Sequence, residues 1–219
     1  MTNPMVGLII FGEGHDFTGK LQKITNGKAK DGHYKTHTCQ TTYPTGSKRD
    51  LPLVLSSEIN GCVHVPWGQF LSDSTYNIWV YKMVGMSDEE IFAGLDYSES
   101  TYLNMPYAFL AWPWFGWKAL VNRVINPLGE KLGLKWLHHD IHTENNWFTR
   151  NIFCSKQDYK SIDTSSGVYP ERWKKLRNDL HDYMPDTCDP VDLANVAYDN
   201  PDVFELQFQR VDGVIRNIP

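Results

Sequence analysis

Leu51-Pro52-Leu53-Val54-Leu55-Ser56-Ser57-Glu58-Ile59-Asn60-Gly61-Cys62-Val63-His64-Val65 reads as two strands around an Asn-Gly pair. Asn-Gly between two strand-like runs is the strongest short hairpin signal, because tight hairpin turns need the positive φ that these two residues tolerate. Upstream, threonine-rich Thr36 to Tyr43 predicts a strand; downstream, Tyr76 to Met83 alternates well enough for another. Residues 36 to 83 are therefore expected as an antiparallel meander. The apolar run Val6 to Phe11, ending in Gly12, predicts a first strand. Asp16 predicts the cap of a short helix through Ile24, closed by Asn26-Gly27, and Lys28 to Lys35 reads as a polar loop.

The second half has helical character. Ser87-Asp88-Glu89-Glu90 is a capping box before Ile91 and Phe92. Trp117 to Ile125 and Phe148 to Ile162 have helical spacing, and Glu171 to Leu180 is a charged amphipathic helix. Asp189-Pro190 is an N-cap followed by proline at the first helical position, opening Val191 to Ala197. Val203 to Phe208 predicts a last strand. Strands first and helices later predict an α+β domain, an antiparallel sheet packed on helices.

The chain has 219 residues, enough for one domain with its own core and no staple. Its net charge of -5 argues against a nucleic-acid binder, which is more often basic. The four cysteines, Cys39, Cys62, Cys154 and Cys188, form no Cys-x-x-Cys pair, so zinc-ribbon and thioredoxin readings lack their signature and free thiols are expected. The first residues show no basic segment, apolar stretch and cleavage site in series, so no signal peptide is expected. No apolar run is long enough for a membrane span. Cytoplasmic synthesis is the corresponding expectation. A P-loop, a dinucleotide fingerprint and a Gly-x-Ser-x-Gly elbow are absent, and no cofactor is expected.

Thiol hydrolysis needs a cysteine, an imidazole beside it that takes and returns the proton, and a polar group that orients the ring. A helix N-terminus helps, because its dipole favours thiolate. Cys154 falls near the start of an expected helix, and His37 and Glu58 fall on strands expected to be neighbours, about 5 Å apart. Taken singly, a buried cysteine is usually an inert small hydrophobe, and Cys39, Cys62 and Cys188 keep that reading.

The order of parts resembles the circularly permuted papain-like amidases and peptidases, relatives of the NlpC-type cell-wall endopeptidases. The stretches that carry the resemblance are Gly7-Leu8-Ile9-Ile10-Phe11, Thr36-His37-Thr38, Val54-Leu55-Ser56-Ser57-Glu58, Met105-Pro106-Tyr107, Phe153-Cys154-Ser155 and Pro190-Val191-Asp192-Leu193. The resemblance implies a permuted papain-like fold over one domain, residues 1 to 219, with a helical, aromatic-rich insert at residues 86 to 148. It implies Cys154 as nucleophile at a helix N-terminus, His37 as base, Glu58 behind the ring, and Tyr107 near the pair as an oxyanion or substrate contact. The implied substrate is a peptide, peptidoglycan peptide above all, and a virion or other assembly partner fits the lack of a signal sequence. The family's Cys-Ser-Glu-Leu is Cys154-Ser155-Lys156-Gln157 here, and the basic Lys156 is expected to favour thiolate.

His138-His139-Asp140-Ile141-His142 has helical spacing for zinc, but no Glu completes a His-Glu-x-x-His motif and Trp136, Ile141 and Trp147 mark an aromatic-packed helix end; no metal is expected. The aromatics between Tyr107 and Trp117 read as packing, with a cleft wall or an interfacial membrane patch as the functional alternative. Two further alternatives are a non-catalytic structural or adaptor protein on the same fold, and a lipid acyltransferase or thioesterase-like enzyme. The latter's relatives share the histidine-before-cysteine order but set the cysteine in an Asn-Cys-Glu context.

Overall fold

The computed structural model describes residues 5–43, 52–58, 60–73, 75–107, 116–118, 120–137, 154–183, 185 and 188–217. In chain order these form β1 (Ile9–Gly14), α1 (Phe17–Asn26), β2 (His37–Thr42), β3 (Leu53–Glu58), β4 (Gly61–Pro66), α2 (Trp67–Ser72), β5 (Tyr76–Met83) and α3 (Asp88–Tyr102). A π turn at Val121–Ile125 runs into α4 (Asn126–Leu132), followed by α5 (Cys154–Gly167), α6 (Lys174–His181), α7 (Pro190–Asp199), β6 (Phe204–Val211) and β7 (Val214–Asn217). The protein is α+β: the described strands make one seven-stranded antiparallel sheet in the order β4-β3-β2-β1-β5-β6-β7, with helices packed on it.

The central place of β1 follows from its composition. Leu8 to Phe11 is apolar without alternation and buried at every position, so it needs cover on both faces and a neighbour on both edges. Ile9 and Phe11 point into the larger core, with Trp79, Tyr159, Ile162, Leu176 and Leu193. Leu8 and Ile10 point the other way, into a smaller core with Cys39, Val54, Trp67 and Phe70. β2 fills one edge of β1 and β5 the other. The expected meander thus stops at β4: α2 carries the chain off the sheet, and β5 returns on the far side of β1 instead of beside β4.

Local signals set most boundaries. Asp16 caps α1 by accepting from the Gly19 amide at 2.7 Å, and Gly27 ends the helix at φ 79°. Ser87 and Glu90 form the capping box of α3, and Asp189 with Asp192 forms one on α7. The latter cap also receives Lys118, whose buried Nζ lies 2.9 Å from Asp189. The β3–β4 register pairs Glu58 with Gly61, so Gly61 belongs to the ladder, at φ 113°, instead of to the turn.

α3 opens the stretch expected as an insert, yet it is built into the core. It lies along α5, with Gly94 against Ser161 and Ser165 so closely that a Cβ there would overlap both. That fixes the height of α5 over the sheet, and Cys154 is its first described residue. The aromatic run at 108–115 and the histidine cluster at 138–142 lie outside the described residues.

Candidate active site

His37 opens β2. The register Cys39 to Ser56 between β2 and β3 places His37 opposite Glu58, two residues along each strand. His37, Ser56 and Glu58 share one face, as the two-residue period of a strand requires. The His37 Nε2 lies 2.9 Å from the Ser56 Oγ, which in turn donates to Glu58 Oε1 at 2.6 Å. Glu58 is also within ion-pair reach of Nε2, at 3.8 Å. Because the Ser56 hydrogen is committed to the carboxylate, its oxygen accepts from Nε2–H. The neutral ring is thereby fixed as the Nε2–H tautomer, and Nδ1 is left as the basic nitrogen.

The ring is held by packing as well. Tyr76 of β5 lies against it, ring centroids 5.7 Å apart. Gly12 of β1 sits opposite His37; a Cβ there would come within 3.2 Å of the Tyr76 ring and 3.5 Å of the His37 Cβ. His37 is 8% exposed. Burial lowers its pKa from 6.5, against the opposing pull of Glu58 and then Asp16. The resting imidazole is therefore neutral at neutral pH.

Cys154 is the first described residue of α5, 3% exposed. The backbone N–H groups of Thr38 and Ser155 point at its sulfur, so the thiol sits against the residue next to His37. Among the described contacts, the hydrogen-bond partner of the His37 ring is Ser56 and not Cys154. Burial pushes the thiol up to about 12, outweighing the two amides, and the negative potential of Asp158 and Glu58 adds to it. Desolvation outweighs whatever favours thiolate here, and the resting pair is thiol and imidazole.

Polar side chains stitch the start of α5 to the sheet. Ser155 donates to the Cys188 carbonyl at 2.7 Å. Gln157 accepts from Ser57 at 2.9 Å and donates to the Leu55 carbonyl at 3.0 Å. Asp158, one turn below Cys154 on the same helix face, accepts from the Thr38 hydroxyl. Its other oxygen is buried without a hydrogen-bond partner, and burial raises the carboxyl to about 8. Thr38 thus touches the Cys154 sulfur through its amide and Asp158 through its hydroxyl.

The sequence singled out Cys154, His37 and Glu58, and the fold brings them to one end of β2 and β3. It passed over Ser56, Tyr76 and Asp158. Ser56 lies within the Val54–Glu58 stretch with no sequence sign of its pairing, and Tyr76 is legible in the sequence only as a strand residue. Tyr107 is half-buried, just beyond Asn104 and Met105, which hydrogen-bond Cys62 at the start of β4. Cys39, Cys62 and Cys188 are buried free thiols, each with its pKa raised by burial. His64 is taken up by Glu99 at 2.8 Å, and His33 stacks on Trp79. Among the described residues, no three His, Cys, Asp or Glu side chains converge as a metal site requires.

Comparison with known proteins found no matching family model, no matching curated protein and no matching solved structure.

Proposed function

We propose that the protein is a cysteine-dependent amide hydrolase of permuted papain-like type, with Cys154 as nucleophile, His37 as general base and peptidoglycan peptides as the substrate class. One observation carries this reading: the Cys154 thiol abuts the Thr38 amide, one residue from His37, whose Nε2 is held by Ser56 and, through it, Glu58. A ring with one nitrogen held and the other basic is oriented to take a proton from sulfur and return it to a leaving amine.

In the resting state both groups are neutral, so proton transfer accompanies attack. Sulfur bonds to the substrate carbonyl carbon as His37 Nδ1 takes the thiol proton. The imidazolium formed is stabilised by Glu58 through Ser56. Collapse of the tetrahedral adduct releases the amine, which takes the proton from His37, and leaves an acyl-thioester. Water, deprotonated by the same nitrogen, then frees the acid and the thiol. Tyr107 is assigned to the substrate side of the cleft.

Release of peptide amines from purified peptidoglycan tests the reading. Cys154→Ala and His37→Ala each remove nearly all turnover, and the double variant is little worse than either, since the two act as one unit. Full turnover by Cys154→Ala would overturn it.

A second reading, a non-catalytic assembly protein on the same fold, draws on the burial of Cys154 and its high thiol pKa. Wild-type protein that folds, binds peptidoglycan or a protein partner, and shows no turnover over all pH values decides for it.

A further inference from the structure

Thirteen large apolar side chains stand in solvent among the described residues, and eight of them lie on two joined elements. Leu21 and Ile24 belong to α1; the other six lie between Trp117 and Trp136, on and around the π turn and α4. Arg123 joins the two elements by donating to the Ile24 carbonyl. Exposures in this group run from 40% to 74%, so each of these side chains presents a large part of its apolar surface to solvent.

The geometry makes them a ridge. Leu120, Val124, Leu128 and Leu132 recur every four residues. On an unbroken α-helix that spacing overshoots the 3.6-residue turn, and the row winds round the axis. The wider π turn at Val121–Ile125 takes up the drift at the first step and keeps the row on one face. Arg123, Lys131 and Lys135 flank it, exposed, against the single acid Glu130, in a chain whose net charge is -5. An indole stands at each end of the segment, Trp117 and Trp136.

An apolar ridge with cationic flanks and terminal indoles has the amphipathic profile of a helix lying in a lipid interface. A second copy of the chain would set the three cations against themselves; an anionic bilayer matches both the ridge and its flanks. We propose that the face from Trp117 to Trp136, with Leu21 and Ile24 of α1, docks the protein peripherally on anionic lipid bilayers. The ridge lies at the acyl boundary and Arg123, Lys131 and Lys135 lie among the phosphates. No described helix is long and apolar enough to cross a membrane, so the contact is lateral. The inference is independent of the hydrolase reading.

Co-sedimentation of the full chain with phosphatidylglycerol vesicles, and with vesicles of phosphatidylcholine alone, tests it, with indole fluorescence read alongside. The wild type binds the anionic vesicles with a blue-shifted emission, and salt weakens this without abolishing it. Val124→Glu/Leu128→Glu, at exposed positions, lowers binding about tenfold or more, since two apolar anchors are lost. Lys131→Glu/Lys135→Glu lowers it by a similar factor at low salt. Circular dichroism checks that each variant is folded, and Cys154→Ala binds like wild type. Absence of wild-type binding to either vesicle overturns the proposal, as does equal binding by wild type and both charge variants. Equal uptake by the two lipids overturns the anionic assignment. A concentration-dependent dimer, lost in Val124→Glu/Leu128→Glu without any lipid binding, gives the face to a second copy instead.

Discussion

Ser56 holds His37 by one nitrogen only: its hydroxyl oxygen lies 2.9 Å from Nε2, while its hydrogen goes to Glu58. A direct His–Glu bond would orient the ring as well, but the bridging hydroxyl places the carboxylate farther out, where it is 38% exposed. The ring is thus oriented by a buried neutral group and charged by a half-solvated one.

Ser56→Ala separates those two roles. It leaves Glu58 in place but removes the acceptor for Nε2–H, so the ring loses its fixed tautomer. We expect kcat to fall about 10- to 100-fold, less than for His37→Ala, because the base remains. Glu58→Gln should fall between wild type and the His37 variant, since an acceptor for Ser56 survives while the charge is lost. Steady-state hydrolysis of peptidoglycan peptides measures both.

The pH profile follows from the same pair. His37 must be neutral to accept the thiol proton, and burial lowers its pKa. Activity is therefore lost as pH falls through a midpoint below 6.5, and Glu58→Gln, which removes the largest opposing charge, moves that midpoint further down. The thiol, pushed up to about 12, contributes no second midpoint near neutrality. Iodoacetamide labelling of Cys154 should accelerate steadily to about pH 9 without a plateau. A plateau near pH 7 would show that thiolate and imidazolium form at rest.

Asp158 adds a stability signature. Its folded pKa is raised to about 8 by burial, so folding favours the protonated acid. The stability it allows is complete below its unfolded pKa of about 4 and is lost as pH rises towards 8. Asp158→Asn still accepts from Thr38 and carries no charge. We expect the variant to match wild type at pH 4 and to exceed it by a margin that grows to a few kcal/mol by pH 8. Urea unfolding at a series of pH values reads this directly; a margin that stays flat with pH would show that Asp158 is not protonated in the fold.

Gly94→Ala tests how α3 sets the height of α5. Alanine in a helix is worth about 1 kcal/mol over glycine. Here the added methyl meets the Ser161 carbonyl and the Ser165 hydroxyl, and overpacking costs about 1–3 kcal/mol. The clash wins: we expect a net loss of stability and, because α5 carries Cys154, a fall in kcat larger than in KM.

What could be read in the sequence was local. Asp16, Ser87 with Glu90, and Asp189 with Pro190 announced their helices because a cap depends on residues three or four apart. β5 was found with its bounds, but its partners were not, since alternation tells which face a strand buries and not which edge it joins. Trp67–Ser72 gave too short a pattern for a helix. The last hairpin, by contrast, carried an overlooked signal: Asp212-Gly213, both at positive φ, turns β6 into β7. At the site, Cys154, His37 and Glu58 stood out by chemistry and order. Ser56 and Asp158 depend on register and helix facing, which only the folded chain supplies.

The central position of β1 has a consequence for how the protein comes into being. His37, Ser56 and Glu58 leave the ribosome within the first third of the chain, and the strand that completes the other edge of β1 soon follows. The thiol arrives only with α5, just over half a chain length after the base it is assigned to. Contacts so distant in sequence form late, because a long loop must close before they repay it. A nascent chain therefore carries an oriented imidazole with nothing to activate. On the proposed reading, that imidazole has no thiol to act on until synthesis has passed Cys154 and the helix has docked.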